Sequence, residues 1–180
     1  MTTKARLQSR EWEKDSFLLS TNPKLIPIPK LMAAFDSDTF YWTNSIPADA
    51  TQEMVENSLS FGLYNKAPTT VPAEPDELVG FARCVTDFTT FAYLTDVYVD
   101  PSLQGKGLGS WMIECVDELL KELPYLRRTV LFTGDWKRSV PFYRSVMGME
   151  VLEVKEGKGL AIMEKPGNAY PESLRNLNKE

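Results

Sequence analysis

Two apolar runs rich in β-branched and aromatic residues occupy the middle of the chain, at 78–87 and 91–99, with a three-residue connection between them. Runs of this composition, joined by so short a connection, predict an antiparallel β-hairpin. Pro101 ends the second run, and after a glycine-rich stretch apolar residues recur at helical spacing from Leu108 to Leu123. The pattern therefore predicts a strand, a glycine loop and a helix, in that order.

Weaker patterns on either side predict shorter elements. Those before the hairpin are, in order, a strand at 17–20, a helix near 31–35, a helix that starts at Ser45 and a strand from about residue 60. Those after the long helix are a strand at 129–133, a helix capped by Ser139 and ended by Gly148, and a hairpin at 149–154 and 160–164.

A length of 180 residues and a mass of 20.4 kDa fit one domain of ordinary size. With 43% hydrophobic and 25% charged residues, the composition is that of a soluble globular protein and not of a disordered, collagen-like or membrane-spanning one. We expect a flexible N-terminal segment at 1–14, a single domain at 15–165 and a polar C-terminal tail at 166–180.

The charge balance and two scarce residue types exclude several kinds of chemistry. A net charge of -5 and a pI near 5.0 argue against binding of nucleic acid or of an anionic membrane. The absence of His excludes His-dependent triads and most zinc sites, so we expect no metal. Cys84 and Cys115 are too few for a disulfide framework, and neither a signal peptide nor a membrane-spanning run is evident, so we expect a cytoplasmic protein.

The stretch from Gln104 to Ser110 carries the clearest chemical signal. Gly105, Gly107 and Gly109 alternate with other residues between the predicted strand and the predicted helix. Glycines let the backbone approach a ligand closely, and a helix N-terminus adds positive potential, so the arrangement suits a pyrophosphate. A tight turn that needs positive φ angles, with no ligand, is the alternative interpretation.

Spacing separates the phosphate-binding loops that this segment could form. A Walker loop ends in Gly-Lys-Ser/Thr, whereas Lys106 is followed by Gly107. A Rossmann loop has a glycine where Ser110 stands. Both patterns therefore fail.

The pattern Gln/Arg-x-x-Gly-x-Gly/Ala does fit, with Gln104, Gly107 and Gly109 at its fixed positions and Val97-Tyr98-Val99-Asp100-Pro101 before it. It resembles the acyl-CoA binding signature of the GNAT superfamily of N-acetyltransferases, and the order of predicted elements over 15–165 is similar to that family as well. The resemblance implies an α/β fold of three layers, with a mixed, mostly antiparallel twisted sheet, helices on both faces and a splayed central pair of strands.

The same resemblance implies acetyl-CoA as the co-substrate. The backbone of Val97 and Val99 would pair with the pantetheine arm. Lys106 would add a charged contact to a phosphate, unless it is a solvated surface lysine. The loop residues that would hold the pyrophosphate are Gln104, Gly105, Lys106, Gly107, Leu108, Gly109 and Ser110.

Tyr143 lies in a segment similar to the family's Phe/Leu-Tyr-x-x-x-Gly-Phe helix, in which the Tyr hydroxyl meets the CoA sulfur. A Tyr with a pKa of about 10 stays protonated at pH 7 and can protonate a departing thiolate. The spacing to Gly148 is one residue longer than in that pattern, so strict counting selects Arg144, and Trp136 stands where the family carries Asn. A core aromatic is the alternative role for Tyr143.

Asp96, on the strand beside Val97 with its side chain in the opposite direction, is the second catalytic candidate. It would bind the substrate ammonium or draw its proton through water, unless its carboxylate is paired with an Arg or caps a backbone amide. With no His to activate a thiolate, both cysteines are expected to be buried and unacylated. Acceptor-pocket or core positions are expected for the aromatic residues Phe35, Phe40, Tyr41 and Trp42.

The sequence thus predicts transfer of an acetyl group from acetyl-CoA to a primary amine by direct attack in a ternary complex. The acidic balance and Asp96 favour a small-molecule amine as the acceptor, while a protein Lys, a protein N-terminus and a homodimer remain open. The alternative is a catalytically inactive acyl-CoA-binding module of the same fold.

Overall fold

The structure is a computed structural model that describes residues 1–37, 43–66, 77–152 and 165. Most of the predicted closing hairpin, the C-terminal tail and the candidate pocket residues Phe40, Tyr41 and Trp42 lie outside these residues. In the described part of the chain, no helix combines the length and the apolar character needed to cross a membrane.

Six strands of the described chain form one mixed sheet whose spatial order follows the chain order. Four neighbouring pairs are antiparallel and the last pair is parallel. The strands are β1 (Glu11–Lys14), β2 (Phe17–Ser20), β3 (Leu59–Asn65), β4 (Glu77–Thr86), β5 (Phe91–Val99) and β6 (Arg128–Val130). The expected mixed, mostly antiparallel sheet is confirmed, although β6 is shorter than the predicted 129–133.

The helices follow the predicted order. They are α1 (Thr3–Leu7), α2 (Ile28–Phe35), α3 (Ala48–Glu56), α4 (Leu108–Lys121) and α5 (Ser139–Met147). Buried side chains recur three to four residues apart along α4, which turns one apolar face toward the sheet.

Two predicted helix starts are wrong by a few residues. Pro47, not Ser45, is the residue before the first turn of α3. Likewise Arg138, not Ser139, is the residue before the first turn of α5. Ser139 is already helical, and no side-chain hydrogen bond caps this end of the helix. At its other end α5 stops at Gly148 as predicted, in the left-handed conformation that glycine adopts without steric cost (φ 67°).

Residues 1–14 are not the flexible segment that the local pattern suggests. They contain α1 and β1, and β1 pairs with β2 at the edge of the sheet. Leu7 is fully buried. Arg6 and Arg10 make ion pairs of 2.5 and 2.6 Å with Glu122, just after α4. The segment is therefore held by tertiary contacts with a distant part of the chain.

Two apolar clusters lie on opposite faces of the sheet. The larger cluster contains side chains of α1, α4 and one face of the strands, and the smaller contains side chains of α2, α3 and the other face. In β3, Leu63 belongs to the larger cluster and Tyr64 to the smaller, as the alternation of side chains along a strand requires. The three layers and the helices on both faces are confirmed.

Strand β5 has two irregularities near its end. Ala82 of β4 stands opposite both Asp96 and Val97, so β5 carries one extra residue in a β-bulge. Within the described chain, β6 pairs only with the first three residues of β5, as far as the pair Tyr93 and Val130. Beyond Tyr93 no described strand pairs with this side of β5. The splay of the two strands stays a prediction.

Candidate active site

A groove of about 310 Å³ lies where the end of β5 meets the start of α4. Its lining includes seven of the nine residues predicted to bind the donor: Val99, Gln104, Gly105, Gly107, Leu108, Gly109 and Ser110. Leu103 and Phe142 complete the lining and were not predicted. The order of strand, glycine loop and helix thus brings the predicted binding residues to one place.

The loop before α4 turns its backbone amides outward. Gly105 and Gly107 have φ angles of 80° and 75°, which side-chain-bearing residues rarely adopt. The first backbone hydrogen bond that closes α4 is donated by Trp111 to the Gly107 carbonyl. Within the described chain, the six backbone amides from Gly105 to Ser110 donate to no acceptor. This row of donors, at the positive end of a helix dipole, can bind an anion.

The end of β5, which no described strand covers on the side away from β4, adds backbone groups beside the loop. The Asp100 amide donates to the Val79 carbonyl of β4 at 2.8 Å. Because polar groups alternate in direction along a strand, those of Val97 and Val99 point away from β4, toward the side where β6 has ended. The Gln104 side chain is bonded to one of these polar groups, because its Nε2 donates a hydrogen bond to the Val99 carbonyl at 3.0 Å. The remaining groups can pair with an extended ligand.

The other two predicted donor-binding residues do not line the groove. Val97 packs its side chain against the larger apolar cluster, so that only its backbone can take the predicted role. Lys106 is exposed in the loop and makes no ion pair with any described residue. Its contact with a phosphate stays a prediction.

Tyr143 lies behind the groove and does not line it. Its ring meets the ring of Phe142 edge to face, with 5.0 Å between the centroids, and Phe142 itself faces the groove. Burial raises the pKa of the Tyr143 hydroxyl to about 12. No described residue accepts or donates a hydrogen bond at this hydroxyl. It is therefore a protonated donor one ring away from the groove.

Asp96 lines neither this groove nor the second cavity, which is described in the next paragraph. Its carboxylate accepts a hydrogen bond from Arg83 Nε at 2.7 Å and one from the Thr95 hydroxyl at 3.2 Å. The Asp96 residue is only 7% exposed. Of the two roles that the sequence left open, the pairing with an Arg is the one with contacts in the structure.

A second cavity, of about 180 Å³, lies on the opposite face of the sheet, beside α2 and the ends of β4 and β5. Its polar lining consists of Lys30, Ser37, Tyr98 and Asp100, and its apolar lining of Leu31, Ala33, Ala34, Leu78 and Phe81. Phe35, the described member of the aromatic set predicted for the acceptor pocket, is buried in the smaller cluster and does not line this cavity. Val99 and Asp100, adjacent in sequence, face the groove and the second cavity respectively.

The groove fits acetyl-CoA in its donor set. A run of unpaired amides at a helix N-terminus suits a pyrophosphate, and an open strand edge suits the amides of a pantetheine arm. The groove also has apolar walls in Leu103 and Phe142. Among the described residues, no three His, Cys, Asp or Glu side chains come together as metal ligands.

Known proteins are similar to this chain in sequence and in fold. A model of the acetyltransferase (GNAT) family matches residues 31–149. The protein FG08082 of Gibberella zeae is 36% identical over 170 residues, which are 88% of this chain and 94% of that relative. The crystal structure of the GNAT-family protein xcc2953 from Xanthomonas campestris pv. campestris is 26% identical, with a TM-score of 0.62 over 84% of this chain and 96% of its own.

A further solved structure agrees in fold alone. The GNAT family protein SP0256 from Streptococcus pneumoniae is 22% identical, with a TM-score of 0.54 over 83% of this chain and 98% of its own. The family is one of acyltransferases and normally uses acetyl-CoA. The match over residues 31–149 includes the groove, the glycine loop and α5. The chain therefore belongs to the GNAT family of acetyltransferases.

Proposed function

We propose that the protein is an N-acetyltransferase that moves an acetyl group from acetyl-CoA to a primary amine by direct attack in a ternary complex. The observation that carries this proposal is the row of six amides from Gly105 to Ser110, which donate to no acceptor in the described chain and lie beside a groove at the N-terminus of α4. Bound acetyl-CoA supplies the acyl group as an activated thioester. The protein supplies position and electrostatic stabilisation.

In the proposed complex, the loop amides hold the pyrophosphate and the open edge of β5 holds the pantetheine arm. The amide of Val99 and the backbone groups of Val97, which point away from β4, are the donors and acceptors proposed to pair with that arm. The Gln104 side chain fixes the loop against the strand, so the two parts of the site keep their spacing. Holding the thioester in one orientation lowers the entropic part of the barrier to attack.

Tyr143 is the proposed general acid. The attacking amine must lose a proton, and the departing sulfur must gain one. Because Phe142 and not Tyr143 lines the groove in the structure, this role requires that the Tyr143 hydroxyl reach the sulfur past the Phe142 ring when acetyl-CoA is bound. Tyr143 then gives its hydroxyl proton to the sulfur and is reprotonated by the proton that leaves the nitrogen. With a pKa of about 12, Tyr143 is fully protonated at neutral pH, so it is in the form that this step requires.

The second cavity is the proposed acceptor site. Hydrogen bonds from the hydroxyl and amide of Ser102 hold the pKa of Asp100 below its ordinary value, so a carboxylate charge faces this cavity at neutral pH. Leu31, Leu78 and Phe81 provide an apolar wall. A small primary amine with an apolar body matches both features, because its ammonium group is placed near Asp100 and its body against the wall.

The donor site is tested first, by calorimetric titration of acetyl-CoA, longer acyl-CoAs and free CoA. Gly109→Trp is the blocking variant, because Gly109 is helical and a Cβ there would meet only Val99, at 3.9 Å, so a larger side chain enters the groove without backbone strain. Glu114→Trp, at an exposed position of the same helix, is the matched control. We expect micromolar binding that Gly109→Trp abolishes and Glu114→Trp preserves.

Three other results of the binding and acetylation experiments would each indicate a different function. If no CoA species binds, the glycine loop is only a structural turn. If ATP or NAD binds in place of CoA, the groove is a nucleotide site. If CoA binds but no acetylation follows with polyamines, arylalkylamines, a lysine peptide or a free peptide N-terminus, the protein is an acyl-CoA-binding module without catalysis.

A further inference from the structure

Asp96 is the extra residue of the bulge in β5. It has a φ angle of 54°, in the left-handed region that an L-residue adopts only at a cost in energy. At the bulge position that needs this conformation, proteins ordinarily place glycine. Asp adopts this region more readily than most side chains but less freely than glycine, so an additional interaction would help to hold it there.

That interaction is a buried network centred on Arg83. The Arg83 guanidinium donates from Nε to the Asp96 carboxylate at 2.7 Å and from Nη1 to the Ser58 hydroxyl at 3.3 Å. The side chains of Arg83 and Asp96 are 15% and 8% exposed. Ser58 directly precedes β3, so the network joins the bulge to the strand beyond β4. A strained residue and a buried ion pair thus coincide at one position of β5.

The bulge decides which side chains face the groove. Before it, Leu94 faces the larger apolar cluster, and after it Val97 and Val99 face the same cluster. Tyr98 faces the smaller cluster and the second cavity. Without the extra residue, alternation from Leu94 would turn Tyr98 toward the groove and Val99 toward the second cavity, because a shift of one residue reverses every side chain that follows.

We propose that the Arg83–Asp96 pair is a positioning element that fixes which face of the sheet each β5 side chain after the bulge points to, which we call the phase of β5. In the observed phase, Val99 faces the donor groove and Tyr98 faces the second cavity. Asp96 acts through the backbone and not as a carboxylate that binds the acceptor. The identity of the ligands, acetyl-CoA in the groove and an amine in the second cavity, rests on the proposed function. The effect on the strand does not.

Three variants separate the backbone role from a charge role. Arg83→Met removes the partner of Asp96 and leaves a buried carboxylate, so it is accompanied by two double variants that contain no unpaired charge. Arg83→Met/Asp96→Gly removes the pair but keeps a residue that adopts positive φ freely. Arg83→Met/Asp96→Leu removes the pair and replaces Asp96 with a residue that disfavours positive φ. Asp15→Leu, at an exposed turn residue with a φ of 51°, is the control for the loss of a left-handed Asp elsewhere.

Three measurements are made on each variant. Cross-strand NOEs between Phe81 and Tyr98, which are paired in the structure, report the phase of β5 without any ligand. Calorimetry and initial rates report the acetyl-CoA affinity and kcat. We expect Arg83→Met and the Leu double variant to lose the Phe81–Tyr98 NOEs and to bind acetyl-CoA about tenfold or more weakly. We expect the Gly double variant, whose residue 96 adopts positive φ without a partner, to keep the NOEs, with affinity and kcat within about threefold of the wild type.

The proposal is overturned if Arg83→Met keeps the Phe81–Tyr98 NOEs, since the pair then does not set the phase. It is overturned as well if the Leu double variant keeps them, since a residue that adopts positive φ freely is then not needed at position 96. It is also overturned if the Gly double variant keeps the NOEs and acetyl-CoA binding but loses turnover, since Asp96 then acts through its carboxylate. If the wild type binds no CoA while the Leu double variant still changes phase, the proposed function fails and the positioning of the strand stands.

Discussion

The Gln104 side-chain amide lies 3.0 Å from the Val99 carbonyl oxygen and donates to it. This hydrogen bond joins the first residue of the glycine loop to the last residue of β5, across the short 3-10 turn at 101–103. It holds the row of loop amides at a fixed distance from the open strand edge. The Gln of the binding pattern is thus explained by geometry: it acts on the backbone that frames the groove.

Gln104→Ala should weaken acetyl-CoA binding with little loss of stability. The hydrogen bond is exposed, so its removal costs about 1 kcal/mol in site organisation, or roughly five- to tenfold in Kd. Calorimetric titration measures the affinity and urea denaturation the stability. Gln52→Ala, which removes an exposed Gln hydrogen bond within α3, is the control and should leave the Kd unchanged. Equal Kd values for both variants would show that the loop does not need this bond.

Gly107→Ala should lose both stability and affinity, whereas Gly148→Ala should lose stability alone. Both glycines have positive φ angles, 75° and 67°, and in both a Cβ would meet nothing within 4 Å. The expected cost to folding is therefore the backbone strain, about 1 kcal/mol in each case. Only Gly107 lies in the loop that holds the proposed pyrophosphate. We expect both variants to show a similar fall in Tm, and Gly107→Ala alone to bind acetyl-CoA more weakly.

The sequence predicts β4, β5 and α4 well because each is long and strongly periodic. Once the strand, loop and helix are placed in that order, the amides of 105–110 must stand at a helix N-terminus, so most of the donor site is predictable too. The Arg83–Asp96 pair does not follow from the hairpin, because Arg83 is paired with Thr95 and regular alternation would turn Asp96 to the other face of the sheet. The pair depends on the bulge, and nothing in the local sequence signals that an Asp takes a positive φ there.

The N-terminal segment could not be predicted from local patterns, because its order depends on partners far along the chain. Arg6 bonds to Glu122, 116 residues later. The role of Phe142 as a groove wall was missed for a different reason. Phe142 and Tyr143 are adjacent in the same helix, and only the angle at which α5 packs decides which of them faces the groove.

Leu7→Ala tests whether the N-terminal segment is part of the domain core. Leu7 is fully buried in the larger cluster, so the substitution should cost about 3 kcal/mol of unfolding free energy through lost burial and a residual cavity. Leu25→Ala, at a residue that is 45% exposed, should cost much less. Urea denaturation followed by circular dichroism measures both. If both variants lose the same small amount of unfolding free energy, residues 1–14 are the flexible segment that the local pattern suggests.

Tyr143→Phe should lower kcat by about 10²-fold and leave the Kd for acetyl-CoA nearly unchanged, because only the proton donor is lost. Tyr125→Phe, at a residue that is 70% exposed, is the control. Steady-state rates with an accepted amine measure kcat, and calorimetry measures the Kd. An unchanged kcat would remove Tyr143 from the mechanism and leave solvent as the proton donor.

The raised pKa of Tyr143 also predicts the alkaline behaviour of the fold. Burial raises this pKa from 10.0 to about 12, so the neutral phenol is favoured in the folded state. The stabilisation it contributes is complete below pH 10 and is lost as the pH rises through 12. The wild type should therefore lose stability more steeply than Tyr143→Phe over this interval. Urea midpoints of the two proteins at pH 9, 10 and 11 give the comparison, and parallel curves would place the hydroxyl in solvent.

Cys84 and Cys115 provide the last test, because a reactive thiol would change the mechanism. Both are buried in the larger cluster, and burial raises the pKa of each thiol from 9.0 to about 12. At pH 8 the thiolate fraction is then on the order of 10⁻⁴, too small for nucleophilic attack at a useful rate. We expect no reaction of the native protein with Ellman's reagent at pH 8 and two thiols after unfolding in guanidinium. An acetyl group found on either cysteine after incubation with acetyl-CoA would mean that the acyl group passes through the protein, and direct attack in a ternary complex would have to be replaced by a two-step transfer.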